Sequence, residues 1–359
     1  MSKYYSVSNE PVELITPKTQ QAATSGRKDY RIEGEFFGGA ELIGKRPAQE
    51  DRMIAERLTL EETAAYRAFS SKDKKECLSK TLQTLNQGCR TVYDFFARQL
   101  NPNSVKNQGS TAIIALIDPQ LNHVLIANVG DSQVFASYLN ADGSHQKTAR
   151  LNNLHNPDQP NEKARLEALK VTLVGNRLSS GTTLLSTSRS LGDFVFEQSG
   201  LSAEPEFTEV SFDLQAGESV TLMVACDGLT ERECLKPEDI GKYIAQHQQE
   251  SLGQLSLGLA QSAISKGSKD NVSVQACRLS NTPSPQSDPF ILGVFDGHGG
   301  TQIAVHLKNK FMEHFKTHLN HMRPQPLTHQ YDKRKKTRTA IQSNYNLRPR
   351  PSPKPIRFQ

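Results

Sequence analysis

The sequence predicts an α+β protein, and two observations carry that prediction. Short apolar runs bounded by Gly, Asn, Asp and Ser read as strands, and apolar residues at helical spacing read as helices. A third observation bears on function. Strand-type runs stop at an aspartate followed by glycine, most sharply in Phe290-Ile-Leu-Gly-Val-Phe-Asp296-Gly297-His298-Gly299-Gly300.

In chain order, residues 1–29 are polar, with Gln, Ser, Thr and Pro, and are expected to form a flexible N-terminal arm. From Tyr30 the pattern turns strand-like, through Phe36-Phe37-Gly-Gly39 and Leu42-Ile43, into Gly44-Lys-Arg46-Pro-Ala-Gln-Glu50-Asp51. A guanidinium followed by two acids suits phosphate oxygens and hydrated cations, although such groups in a loop are also ordinary solvated surface. Residues 61–100 predict two helices broken near Ser70-Ser71. Leu78, Leu82, Leu85, Cys89, Val92 and Phe96 form the buried stripe. Strands are predicted at 111–117, 123–129 and 133–138, with Asn128-Val-Gly130-Asp131-Ser132 as the tight link. A short helix at 161–169 precedes Ser188-Arg-Ser-Leu-Gly-Asp193, and strands follow at 206–214 and 219–225. The second of these runs into Cys226-Asp227-Gly228-Leu229. Helices at 237–265 lead to Gly267-Ser-Lys-Asp270-Asn271 and a strand at 272–279. After Asp296 a helical stripe of Ile303, Leu307, Phe311, Phe315 and Leu319 faces a core. On it, His314 and His318 read as a solvated face rather than a metal pair.

The 359 residues, 36% hydrophobic and 23% charged, suit a soluble chain with a sizeable core. No run of about 18 apolar residues exists, so no transmembrane segment is expected, and the N-terminus lacks a signal-peptide layout. Five cysteines without a Cys-x-x-Cys pair argue against a disulfide framework and a zinc site, and fit a cytoplasmic location. Cys226 reads as packing, not as a nucleophile.

The net charge of +5 is unevenly spread. Ten Lys and Arg but one acid, Asp332, lie in 322–359, which leaves 33 basic and 37 acidic residues before them, a formal −4. The expected organisation is therefore an arm at 1–29, a catalytic domain at 30–321 and a disordered basic tail at 322–359. The tail suits acidic partners, nuclear import or a secretion route, and would steer the protein rather than supply its chemistry.

Taken together, Arg46-x-x-x-Glu50-Asp51, Gly109-Ser-Thr111, Asn128-Val-Gly-Asp131-Ser, Ser188-Arg-x-Leu-Gly-Asp193, Cys226-Asp227-Gly-Leu, Gly267-Ser-x-Asp270-Asn271 and Asp296-Gly-His298-Gly-Gly resemble the metal-dependent type 2C Ser/Thr protein phosphatases. The resemblance covers residues 30–320. It implies an α-β-β-α sandwich of two antiparallel sheets flanked by helices. It also implies a monomeric enzyme that hydrolyses phosphoserine and phosphothreonine in proteins through a metal-bridging hydroxide. By that resemblance, Asp296 bridges two Mg²⁺ or Mn²⁺ ions, the Gly297 carbonyl binds one of them, and Asp227 and Asp270 complete the other. Glu50 and Asp51 hold bound waters, and Asp131 with Asp227 binds a weaker third ion. Arg46 clamps the phosphate and His298 protonates the leaving oxygen. Thr111 orients an aspartate, and Asn271 supports the site. A catalytically weak relative that binds phosphoproteins, and a nucleic-acid binder acting through the tail, are the competing readings.

One departure is large. In the family, the Asp-Gly-His-Gly-Gly strand and its helix lie between the Arg/Glu-Asp segment and the Gly-Ser-Thr segment; here they come last, as a relocated unit at 289–321. The strand after Asp270 is expected to run outward, 280–289 to reverse, and 290–295 to return Asp296 to the other acids. Leu154, Gln133 and Thr230 also depart from the family pattern, which bears on substrate contacts rather than on metal ligation.

Overall fold

A computed structural model of the chain describes residues 3–6, 30–34, 36–99, 107–282 and 287–323. The strands and helices at the start of the described chain are β1 (Lys3–Ser6), β2 (Tyr30–Glu33), β3 (Phe37–Leu42), β4 (Arg52–Arg57), α1 (Leu60–Ala68) and α2 (Ser71–Gln99). Next come β5 (Gly109–Ser110), β6 (Ala112–Asp118), β7 (His123–Val129), β8 (Gln133–Leu139), β9 (His145–Arg150) and α3 (Pro160–Ala168). A hairpin of β10 (Leu178–Ser180) and β11 (Thr183–Leu185) leads to β12 (Leu191–Gly192), β13 (Glu206–Ser211) and β14 (Ser219–Ala225). The last elements are α4 (Pro237–Gln246), α5 (Leu252–Ser265), β15 (Val272–Ser280), β16 (Phe290–Phe295), β17 (Gly297–His298) and α6 (Gln302–Met322).

Two antiparallel sheets face each other, in the orders β1-β2-β3-β15-β14-β8-β9 and β13-β7-β6-β16-β4. Period-two alternation explains why both can be buried on both faces. Along β6, Ile113, Ala115 and Ile117 point between the sheets, while Ala112, Ile114 and Leu116 point at α1, α2 and α6. Along β14, Val220, Leu222 and Val224 enter the same inter-sheet core, and Met223 and Ala225 meet α4 and α5. Three apolar layers therefore separate four structural layers, the α-β-β-α sandwich expected.

The helices follow their stripes. Leu78, Leu82, Leu85 and Cys89 of α2 are fully buried against Ile303, Leu307, Phe311, Phe315 and Leu319 of α6, with Val92 partly buried beyond them. The break between α1 and α2 falls where Ser70-Ser71 suggested. α1 begins at a capping box in which Thr59 and Glu62 satisfy each other's backbone nitrogens.

β16 lies between β4 and β6, with Phe295 opposite Arg52 and Val294 opposite Ile113. Its Phe290, Ile291, Leu292, Val294 and Phe295 are all at most 1% exposed. At roughly 1.5–3 kcal/mol per large side chain, that burial amounts to about 10 kcal/mol, the size of a domain's whole net stability. A strand from near the C-terminal end of the described chain is thus a central strand of its sheet. β15 and β16 do run in opposite directions, but they sit on facing sheets, so the chain between them changes sheet as well as direction.

Other expectations need correction. Lys3–Ser6 is not part of a loose arm, because it pairs with Tyr30–Glu33 and extends the larger sheet; residues 7–29 lie outside the described residues, as do 324–359. β4, β9 and the β10–β11 hairpin have no counterpart in the sequence-based assignment. His318 does not lie on a freely solvated face, since its Nε2 is 3.1 Å from Thr84 Oγ1. Among the described residues no helix is long and apolar enough to cross a membrane, and the five cysteines are buried and free.

Candidate metal centre

The apolar runs stop at one end of the sandwich, and the polar residues that stop them meet there. Asp296 follows β16, Asp227 follows β14, Asp270 precedes β15, Asp51 precedes β4 and Asp131 sits in the β7–β8 turn. Close backbone contact forces glycine beside two of these acids. A Cβ on Gly228 would lie 1.9 Å from the Asn271 carbonyl oxygen, and one on Gly297 would lie 2.5 Å from that of Glu50. The Asp-Gly steps therefore let four acidic turns touch in two pairs, that of Asp227 with that of Asp270 and that of Asp296 with that of Asp51.

Asn271 ties the Arg46–Asp51 loop to the start of β15. Its Nδ2 donates to the carbonyls of Ile43 and Ala48 at 2.8 and 3.0 Å, and its Oδ1 accepts from the Glu50 nitrogen at 2.9 Å. Asp51, 1% exposed, accepts from Ser273 Oγ at 2.7 Å. Asp131 accepts from Asn156 Nδ2 at 2.9 Å, a contact the sequence did not announce. Thr111 takes a different part from the one expected. Its hydroxyl meets Ser132 at 2.8 Å, and its nitrogen donates to the Asp296 carbonyl at 2.9 Å, so it joins two acidic turns without touching a carboxylate. Arg46, 46% exposed, donates to Asp270 at 2.5 Å.

The electrostatics of the cluster are costly. Burial, reinforced by Asp51, Asp131 and Asp270, pushes the Asp296 carboxyl well above the usual carboxylate range. Burial with Asp296, Asp131 and Asp270 does the same to Asp227, and the two acids are hydrogen-bonded to each other. Burial raises Asp51 to about 7 against the hydrogen bond from Ser273, and raises Asp131 against the one from Asn156. Five mutually repelling acids face one guanidinium and one imidazole. Such a donor set fits hard divalent cations, which bind oxygen and offset the repulsion.

Ligand atoms of Asp51, Cys226 and Asp296 lie within 4.8 Å of one another. Burial and the neighbouring Asp51, Asp296 and Asp227 push the Cys226 thiol well above its ordinary value. The thiol stays protonated and bonds the Asn271 carbonyl at 3.4 Å, which agrees with packing rather than attack.

His298, 31% exposed, has its Nε2 2.7 Å from Oδ2 of the fully buried Asp193. Burial lowers the affinity of this imidazole for a proton, but the Asp193 carboxylate outweighs it and raises the pKa. Asp193 stands in a quoted motif, yet nothing in its local sequence names His298 as its partner. The three departures from the family pattern also converge. Gln133 Nε2 donates to Thr230 Oγ1 at 2.6 Å, and both line a cavity of about 580 Å³ together with Leu154.

The family model "Protein phosphatase 2C" matches residues 37–272. "Probable protein phosphatase 2C 8" of Oryza sativa subsp. japonica is 31% identical over 182 residues, 48% of this chain and 42% of that protein. "Protein phosphatase 1B" of Homo sapiens is 26% identical over 221 residues, 57% of this chain and 43% of that protein. The chain thus spans about half the length of the curated relatives it matches. A solved serine-threonine phosphatase 2C from Toxoplasma gondii is 17% identical, covering 67% of this chain and 94% of that one, with a TM-score of 0.45. With most of the chain matched by one family model, this protein belongs to the protein phosphatase 2C family.

Proposed function

We propose that the chain hydrolyses phosphoserine and phosphothreonine in proteins and depends on Mg²⁺ or Mn²⁺. One observation carries the reading: acids from five separate turns meet beside Arg46 and His298 at one end of the sandwich. Asp296, the Gly297 carbonyl, Asp227 and Asp270 would hold two cations, with Glu50 and Asp51 acting through water, and Asp131 with Asp227 holding a third. When bound, such cations neutralise phosphoryl oxygens and acidify water.

The chain's own residues supply the rest. Arg46 is exposed enough to leave Asp270 and take two phosphate oxygens in its planar fork, which fixes the ester for in-line attack. His298, whose hold on a proton the Asp193 carboxylate strengthens, gives that proton to the seryl or threonyl oxygen, which is too basic to leave as an alkoxide. Asn271 and Thr111 hold the acidic turns in register. The basic tail directs this activity towards acidic partners.

The test is hydrolysis of a phosphoserine peptide with Mn²⁺, with Mg²⁺ and with excess chelator. Turnover is expected only with metal and is expected to vanish in Asp296→Asn. Equal turnover in chelator, or full activity in Asp296→Asn, refutes the reading.

A further inference from the structure

We infer that Asp193 is the positioning residue for the acid of this site, fixing the His298 ring so that Nδ1 is the nitrogen presented to the leaving oxygen. The inference rests on the phosphatase reading above and adds a residue to it.

The geometry is that of a built pair. Asp193 Oδ2 and His298 Nε2 are 2.7 Å apart, the carboxylate fully hidden and the imidazole 31% exposed. One edge of the ring is therefore held from behind while the other stays accessible. Asp193 itself has little freedom. Ser190 Oγ donates to the same Oδ2 at 2.6 Å, and the Asp193 nitrogen donates to the Gln108 carbonyl at 3.0 Å. Its backbone lies in the left-handed region at φ 50°, an uncommon conformation for a residue with a side chain. The preceding turn is anchored from α2, where Asn86 Oδ1 accepts from the Gly192 nitrogen at 2.9 Å.

The space for this carboxylate is reserved by a residue far away in sequence. A Cβ on Gly109 would lie 2.0 Å from Asp193 Oδ2. Gly109 pairs with His298 across β5 and β17, and with Gly192 across β5 and β12. One glycine thus brings the strand bearing the imidazole and the strand leading to the carboxylate together on its two sides. The second carboxylate oxygen, Oδ1, is buried without a hydrogen-bond partner among the described residues. Both side-chain contacts of this carboxylate, from Ser190 and from His298, therefore fall on Oδ2, which fixes the carboxylate against the ring.

The proton balance follows from this arrangement. The imidazolium holds hydrogens on both nitrogens, and Nε2–H stays on Asp193. As water adds to phosphorus, giving one proton to solvent, the phosphorus–oxygen ester bond breaks and its electron pair goes to the seryl oxygen. That oxygen takes the hydrogen from Nδ1, leaving neutral imidazole that recovers a proton from solvent. Asp193 takes up no proton at any point.

The experiment compares wild type, Asp193→Asn, Gly109→Ala, His298→Ala and the Asp193→Asn/His298→Ala double variant, with Mn²⁺, on phenyl phosphate and p-nitrophenyl phosphate. Phenolate is the poorer leaving group and needs the acid more. Asp193→Asn keeps the shape and removes the charge. Its kcat on phenyl phosphate is expected to fall about 10–100-fold with KM within about twofold, while p-nitrophenyl phosphate loses less than about threefold. Gly109→Ala displaces the carboxylate by another route and is expected to show the same leaving-group bias. The double variant is expected to be no slower than His298→Ala. Equal losses on both esters, or additive losses in the double variant, overturn the inference. The Nε2-bound proton of His298 in ¹H–¹⁵N spectra supplies a readout without turnover. It is expected in wild type and weakened or lost in Asp193→Asn, and an unchanged signal also overturns the inference. A wild-type chain that shows this proton but hydrolyses neither ester refutes the phosphatase reading instead.

Discussion

The guanidinium of Arg46 is bonded to the carboxylate of Asp270, so the residue assigned to phosphate already neutralises a residue assigned to metal. A cation arriving at Asp270 must compete with it. Arg46→Ala is therefore expected to have two opposite effects. Loss of a charge-assisted fork costs about 1.5–3 kcal/mol, so kcat/KM for a phosphopeptide falls roughly 10–100-fold. The Mn²⁺ concentration for half-maximal activity falls at the same time, because a competitor has gone. Steady-state kinetics across a Mn²⁺ titration check both, and a rise in that concentration counts against the competition.

Burial and like charge make Asp296 destabilising until it is compensated. In chelator, Asp296→Asn is expected to melt about 2–6 °C above wild type, since an amide in that place neither repels Asp51 nor needs a cation. Saturating Mn²⁺ is expected to reverse the order by binding the folded wild type. Thermal unfolding with and without Mn²⁺ measures this; a variant that melts lower in chelator contradicts the repulsive cluster.

The placement of β16 and α6 makes the C-terminal unit part of the core. Phe311 is fully buried between Phe295 and Phe315, with ring centroids 6.1 and 6.0 Å away. Phe311→Ala is expected to cost about 3–5 kcal/mol in urea unfolding. A chain ending at residue 288 leaves β4 and β6 without their shared neighbour and is expected not to fold cooperatively. Ending the chain at 323 instead is expected to leave turnover of p-nitrophenyl phosphate unchanged.

His155, 1% exposed, accepts from the Gly130 nitrogen through Nδ1 at 3.1 Å and faces Glu206 through Nε2 at 3.4 Å. Burial first, then Arg189, hold its pKa down to about 4, against the opposing pull of Glu162 and Glu206. The unfolded chain, with an imidazole near 6.5, takes the proton first as pH falls. Stability present above pH 6.5 is therefore lost as pH drops towards 4, by up to about 3 kcal/mol. Glu162 behaves as an acid held low. Burial opposes its ionisation, but Arg189, Arg165 and Ser188 bring it to about 2, so its contribution is lost only below pH 4.5. His155→Gln is expected to remove the first loss and leave the second. Urea unfolding of both chains at pH 7, 5.5, 4.5 and 3 separates them; parallel curves between pH 7 and 4.5 exclude His155 as the source.

What was legible followed from local rules. The helix break at Ser70-Ser71, the α2 stripe and the runs that became β6, β7, β8, β14, β15 and β16 all carry their own periodicity. The acids at strand ends were visible because polar residues interrupt apolar runs where the backbone turns. β4 was not legible, since Arg52-Met-Ile-Ala-Glu-Arg57 has charges at both ends and owes its strand form to β16 beside it. β9 is polar and largely exposed, an edge strand without an apolar signature. β1 depends on a partner beginning at Tyr30 that no short window contains.

By itself the sequence determined which segments extend, which coil, and which ionisable side chains stand at their ends, because those properties depend on residues a few positions apart. Only the tertiary structure decided that β16 fills the gap between β4 and β6, that Arg46 meets Asp270, and that Asp193 stands behind His298. Strand pairing and charge pairing are made by groups that are neighbours in space alone, and backbone hydrogen bonds do not specify which distant strand will supply them.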